Sequence, residues 1–328
     1  MRSLFSLLGL SLLCSLPGCT QEPIDRGDAP VSRSFRLDYG ATLTGIPRGS
    51  RVRVWLPVPP SNEHQEVETL GADLPTKAET ATEPTYGNKI LHFEVAGPAS
   101  GEIAFRTSYR VDRHEIHGLS DKGRTELTEE QRKLFLAANA KVPLEGKPLD
   151  LLAETHIPDD SLAMARILYN RVDDHVAYDK SRPGYGNGDV LWVCDSRFGN
   201  CTDFHSLFIS LSRAKGLPAR FEIGFPLPPE RGQGAIGGYH CWALFHSEEK
   251  GWVPVDISEA DKHPDMKHYY FGNLTENRVT FTTGRDLQLV PPQQGAPLNF
   301  FVYPYIEVNG EPWPKEKVKL AFAYTDLP

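Results

Sequence analysis

Three residues of this 328-residue sequence combine into a familiar kind of chemistry: Cys201, His240 and Asp256. Cys201 stands in "RFGNCTDFHSLFISL", behind a Gly-Asn turn and at the start of an apolar helical pattern. A thiol there could be a buried core group, a metal ligand or a nucleophile. Only the thiolate is nucleophilic. A helix N-terminus lowers the thiol pKa, because its dipole and free N–H groups favour negative charge. The N–H groups around Asn200 and Cys201 are also placed to face an oxyanion. A thiolate further needs a proton acceptor, and that acceptor needs a group to orient it. His240 opens the strand-like run "HCWALFH", and Asp256 closes "GWVPVD". The turn "SEEKG" between them predicts a hairpin that returns Asp256 to His240. An Asp bound to one ring nitrogen fixes the tautomer and leaves the other nitrogen for the thiol.

Other residues near these three admit two readings each. His205 lies four residues after Cys201 on the same helical face. It is a candidate second base, substrate contact or zinc ligand, the last together with Cys201, His240 and Asp256. The paired-Cys and His-Glu-x-x-His spacings of common zinc sites are missing, so the nucleophile reading ranks first. Trp192 is a candidate oxyanion donor by nearness in sequence, with a core aromatic as the plain alternative. Tyr239 and Trp242 are candidate cleft residues with the same alternative, and Asp203 is a first-turn charge that favours the helix dipole. Cys194 and Cys241 are expected to pack or pair structurally.

The elements that must position these groups follow from periodicity. "PDDSLAMARILYNRVDDHVAYD" is an amphipathic helix capped by Asp159 or Asp160. A Gly-rich loop, "KSRPGYGNGD", leads to the Cys201 helix, which buries Leu207, Phe208, Leu211 and Ala214 and ends at Gly216 and Pro218. "ARFEIGF", "HCWALFHS" and "GWVPVDIS" are three short antiparallel strands. Alternation puts His240, Trp242 and Leu244 on one face and Cys241 and Ala243 on the other. Upstream, residues 33–112 read as a small β-sandwich, in which "NKILHFEVAG" and "GEIAFRTSYRVDR" form a hairpin across Gly97–Gly101. Residues 113–157 are a polar connector with a short helix capped by Thr128. Residues 158–328 form an α+β domain, with "NRVTFTT", "NFFVYPYIEV" and "KVKLAFAYTD" as its β-rich C-terminal extension.

The blocks "GNCTDFHSLFISLSRAKGLPARFEIGF", "YHCWALF" and "GWVPVD" together resemble the bacterial transglutaminase-like superfamily. "ARILYNRVDDHVAYD" resembles the helix that precedes the Cys in that family, so the likeness covers about residues 160–260. The resemblance implies a papain-like fold with Cys201 as nucleophile, His240 as general base and Asp256 as orienter. It implies thioester chemistry on amides, with an amine or water as acceptor: a transglutaminase, peptidase or amidase. The calcium-binding pieces of animal transglutaminases are not evident, so no metal and no cofactor are expected. The alternative is a non-catalytic module that binds envelope peptides or proteins on the same fold.

Charge and leader bound the setting. A formal net charge of −8 argues against nucleic acid as a partner. Arg2 precedes the apolar run "LFSLLGLSLLC", too short to span a bilayer, and "LPGC" follows, ending at Cys19. That string resembles a lipobox. It predicts a signal peptide over 1–19, lipid on Cys19 and a tether over 20–32. Plain signal-peptidase cleavage is the alternative; either way the protein is expected to be exported, as a membrane-anchored lipoprotein or as a periplasmic or extracellular protein, with a peptide or protein as substrate and cell-envelope peptides among the candidates. Beyond Cys14 and Cys19 only Cys194, Cys201 and Cys241 remain, and three thiols cannot all pair within one chain.

Overall fold

The computed structural model of the protein describes residues 31–120 and 124–328. The expected signal segment, Cys19 and the tether as far as residue 30 lie outside the described residues. The N-terminal part runs β1 (Ser32–Leu43), β2 (Arg51–Val58), β3 (Gln65–Asp73), β4 (Glu79–Thr82), β5 (Lys89–Ala96), β6 (Ile103–His114) and β7 (Ile116–His117). The helical part follows with α1 (Glu129–Leu136), α2 (Ser161–His175), β8 (Ala177–Tyr178), α3 (Val190–Ser196), β9 (Phe198–Gly199) and α4 (Cys201–Ala214). Then come β10 (Ala219–Pro226), β11 (Gln233–Ala235), β12 (His240–Ser247), β13 (Gly251–Val255), α5 (Ile257–Lys262), β14 (Asn273–Leu274) and β15 (Arg278–Thr283). The chain closes with β16 (Tyr305–Val308), β17 (Glu311–Pro312) and β18 (Val318–Asp326).

The sandwich consists of two five-stranded sheets, β11-β18-β1-β6-β3 and β17-β16-β2-β5-β4. It departs from the sequence expectation in two ways. First, β5 and β6 are not a hairpin: they belong to opposite sheets, and Phe93 and Phe105 meet edge to face across the core at 5.6 Å. Alternation marks which side chains point inward, but a turn between two such strands reads alike whether they pair or face each other. Second, the C-terminal runs do not extend the helical domain. β18 pairs with β1 from Leu43↔Val318 to Phe35↔Asp326, and β16 pairs with β2. These late strands cover β1 and β2, whose backbone groups need a partner that the N-terminal segment alone does not supply.

The helical unit packs on a four-stranded antiparallel sheet, β13-β12-β10-β15. The Asp160 side chain caps α2 by accepting from the Ala163 N–H at 2.7 Å. α4 ends in a Schellman arrangement: the Gly216 N–H donates to Arg213 O and the Leu217 N–H to Ser212 O, with Gly216 at φ +79°. The two faces of β12 divide as alternation predicts. Cys241, Ala243 and Phe245 join the core under α4, while Trp242 and Leu244 pack with Ile116 and Leu274 on the far side. Tyr39 of β1 stacks on Phe281 of β15 at 5.4 Å and on Phe322 of β18 at 4.7 Å, so sandwich and helical unit share one core. No helix among the described residues is long and apolar enough to cross a membrane.

Candidate active site

The site is built from the start of α4 outward. Asn200 caps the helix: its Oδ1 accepts from the Thr202 N–H at 2.9 Å, and Asp203 reaches back to the Asn200 N–H at 2.9 Å. Cys201 is therefore the first helical residue, buried, with an N–H that the helix itself does not satisfy. β13 ends one residue earlier than the sequence pattern implies, and Asp256 is the N-cap of α5. Its Oδ1 accepts from the Glu259 N–H and the Ser258 hydroxyl, each at 3.2 Å. Its Oδ2 accepts from His240 Nε2 at 2.7 Å and from Arg278 Nη1 at 2.9 Å. With Nε2 committed to Asp256, the Nδ1 of His240 is left for Cys201, whose thiol is hydrogen-bonded to that imidazole.

Electrostatics favour the ion pair. Burial opposes ionisation of Cys201, yet hydrogen bonds from Cys241 and His240 and the imidazolium charge outweigh it and hold the thiol well below its usual range. Burial likewise opposes the charged form of His240, but the Asp256 carboxylate and Cys201 push it up to about 10. Burial would raise Asp256, and His240 with Arg278 hold it below the usual carboxylate range instead. A thiolate–imidazolium pair oriented by a carboxylate can attack a carbonyl and then deliver a proton to the leaving group.

The remaining residues singled out in the sequence sort differently. His205 is buried and accepts from the Ile257 N–H through Nε2 at 3.0 Å, while its Nδ1 faces Cys241 Sγ at 3.8 Å. Burial lowers its pKa to about 4, so it is neutral and fastens the residue after Asp256; it is not placed as a second base. Trp192 packs edge-on against Phe198 at 5.2 Å and lies beside Gly184, as a structural aromatic on α3. Trp242 is fully buried, donates to Glu222 at 3.0 Å and lies beneath Arg278, so it does not line an open cleft. Tyr239 stays at the site: its hydroxyl joins Asn200 Nδ2 at 3.0 Å and Thr202 Oγ1 at 2.8 Å. Cys194, Cys201 and Cys241 are all free thiols, and burial pushes Cys194 up to about 11.

Besides Arg278, two contributors escaped the sequence reading, Tyr178 and Arg285, and Asp203 does more than was expected of it. Tyr178, at the end of β8, pairs in a parallel ladder with Gly199, two residues before Cys201. Its backbone N–H donates to Asp261 at 2.9 Å, and Lys262 Nζ lies 4.7 Å from its ring centre. Burial raises the pKa of its phenol, and the negative charge of Cys201 raises it further. Asp203 is more than a dipole charge. Besides Asn200 it accepts from the Gly186 N–H at 2.7 Å and the Gly188 N–H at 2.9 Å, clamping the Gly-rich loop to the nucleophile helix. Arg285 holds the same loop from the other side, through the carbonyls of Gly188 and Asn187 at 3.0 and 2.9 Å. Only glycine fits at 188: φ is +55°, and a Cβ would lie 2.2 Å from Ser206 Oγ. "AYD" and the Gly spacing of the loop were the available signals.

Ligand atoms of His240, Asp256 and Glu259 lie within 4.8 Å of one another, which makes them the metal-type grouping among the described residues. They fit a cation poorly. Asp256 Oδ2 is shared between His240 and Arg278, and Glu259 is paired with Lys262. His205, needed for the zinc reading, has its lone pair committed to the Ile257 N–H.

Residues 151–257 match the sequence profile of the Transglutaminase-like superfamily. An uncharacterized protein of Haemophilus influenzae is 27% identical over 312 residues, covering 81% of this chain and 84% of the relative. A protein-glutamine gamma-glutamyltransferase of Pseudomonas aeruginosa is 27% identical over 129 residues, which span 36% of this chain and 19% of that protein. The crystal structure of a candidate cysteine protease from Cytophaga hutchinsonii superposes with a TM-score of 0.55 at 16% identity, covering 90% of this chain and 98% of its own. This last likeness concerns the fold alone.

Proposed function

Because the chain carries a domain of the transglutaminase-like superfamily over residues 151–257, we propose that it is a cysteine-dependent acyltransferase or hydrolase acting on carboxamide or peptide carbonyls. The observation that carries this reading is the bond of His240 Nε2 to Asp256 at 2.7 Å, which leaves Nδ1 for Cys201 at the buried start of α4. The Cys201 thiolate adds to the carbonyl carbon and forms the C–S bond. The charge that develops on oxygen is met by the Cys201 N–H and the Tyr178 hydroxyl. Collapse breaks the C–N bond as the His240 Nδ1 proton passes to the leaving amine, giving a thioester and neutral imidazole. An incoming amine or water then attacks the thioester, His240 takes its proton, and the thiolate leaves. The Pseudomonas relative is named for glutamine as acyl donor, so a glutamine side chain within a peptide is the first donor to test.

We place this activity outside the cytoplasm, on envelope or secreted peptides, with the chain held by lipid on Cys19. The support is the leader pattern ending in "LPGC". The test of function incubates the protein with a glutamine-containing peptide and a fluorescent primary amine, beside a Cys201→Ala control. Ammonia release with amine conjugation identifies the transferase, ammonia release with glutamate formation identifies the amidase, and chain cleavage without ammonia identifies the peptidase. Equal release by wild type and Cys201→Ala would sink the proposal.

A further inference from the structure

Arg278 begins β15, beyond the segment that matches the superfamily profile, and contributes to the site through Asp256 alone. We propose that Arg278 is a positioning residue that keeps Asp256 ionised, and His240 in its working tautomer, through the thioester stage. The inference rests on the reading of Cys201, His240 and Asp256 as a triad.

Asp256 is fully buried, and its Oδ2 serves two donors at once, His240 Nε2 and Arg278 Nη1. In the resting ion pair, His240 and Arg278 both offset the carboxylate charge. Once His240 has given its Nδ1 proton to the leaving amine, the imidazole is neutral. A buried carboxylate facing only a neutral ring takes up a proton. A protonated Asp256 would donate to Nε2. The ring would then carry its proton on Nδ1, and it could not accept one from the incoming nucleophile. Arg278 removes that outcome, because its charge stays at 2.9 Å whatever the state of His240.

The surroundings leave this task to Arg278. Glu259 lies 3.7 Å from His240 Nε2 and carries the same charge sign as Asp256. His205 approaches Asp256 Oδ1 at 3.7 Å but is neutral. Glu222, behind Trp242, is paired with Arg220 at 2.7 Å, and Arg113 shares the interior with Arg278 as a like charge. Tyr270 also faces Arg278. The guanidinium is buried and lies 4.9 Å from the centre of the Trp242 ring, which fixes its direction.

The test uses the full chain carrying Arg278→Gln or Arg278→Lys. Two readouts follow: the pH dependence of Cys201 alkylation by iodoacetamide, and the deacylation rate of the acetyl-enzyme formed from p-nitrophenyl acetate. Loss of a buried cation raises the pKa of every acid nearby, so Arg278→Gln moves the acid limb of alkylation upward by about one pH unit, a roughly tenfold slower reaction at pH values below the limb. Deacylation slows by at least about tenfold for want of the right tautomer. Arg278→Lys keeps a cation beside the Asp256 carboxylate and holds the limb closer to wild type than Arg278→Gln does. A folded Gln variant with the wild-type limb and deacylation rate overturns the role of Arg278. If the Gln variant does not fold, the Lys variant decides, and a limb displaced by a full unit there overturns it. Wild-type protein whose limb lies at or above the ordinary thiol value of 9.0 overturns the triad reading first, before any substitution at 278 is made.

Discussion

Replacing His240 by Ala tests the charge state of the site without knowledge of the substrate. In the wild-type arrangement the thiol of Cys201 is held well below its ordinary value of 9.0 by its hydrogen bonds and by the His240 charge, against the pull of burial. The thiolate is then favoured well below that value. Without the imidazolium, burial opposes ionisation, and the thiol returns at least to its ordinary value. A thiol of that pKa is about 0.3% ionised at pH 6.5, so alkylation slows by up to about 300-fold. At the alkaline end the wild-type rate holds until His240 deprotonates near 10. The assay is iodoacetamide labelling from pH 5 to 9, with the adduct located by mass spectrometry so that Cys194 and Cys241 are counted apart. The near-UV circular dichroism of the variant serves as the control for folding. A folded His240→Ala protein that labels Cys201 at the wild-type rate at pH 6.5 refutes the ion pair, and the catalytic reading falls with it.

Two further perturbations separate chemistry from scaffold. Alkylation forms no oxyanion, whereas thioester formation does. Tyr178→Phe is therefore expected to lower acylation by p-nitrophenyl acetate by about 100-fold or more while leaving the alkylation profile unchanged; an unchanged acylation rate removes Tyr178 from the oxyanion site. Asp203→Ala leaves the N–H groups of Asn200, Gly186 and Gly188 without their acceptor in the interior, at about 1–3 kcal/mol each. Stability measured by urea unfolding should fall by more than about 3 kcal/mol, with the loop 184–188 becoming the first segment to exchange amide hydrogen. Exchange unchanged in that loop would show that Arg285 alone suffices to hold it.

What could be read in the chain was whatever depends on near neighbours. The Asn200 cap, the Gly216 stop and the apolar stripe of α4 are set within a few residues, so the position of Cys201 at a helix start followed from local rules. The hairpin β12–β13 is equally local: its short turn sets the register that carries Asp256 back toward His240. Asp256 reads first as a strand end, with a turn or cap as the second reading, because "VDISEA" continues the strand alternation for one residue beyond the true end; the structure makes it the cap. Trp192 lay near in sequence and yet turned to Phe198, whereas Tyr178, 23 residues before Cys201, reached the site through the two-residue ladder β8–β9.

The sequence by itself determined the kind of nucleophile, the order of the three chemical groups and the elements that present them, because helix caps, turns and alternation act over a few residues at a time. Tertiary structure alone decided who surrounds them. Arg278 on Asp256, Arg285 on the Gly-rich loop and β18 on β1 join residues separated by 22, 97 and up to 291 positions, and no periodicity encodes such partners. An inward-facing strand residue declares only that it is buried. Which charge, sheet or loop it meets is settled when the whole core closes, since each buried polar group must then find a donor or acceptor wherever the chain has brought one.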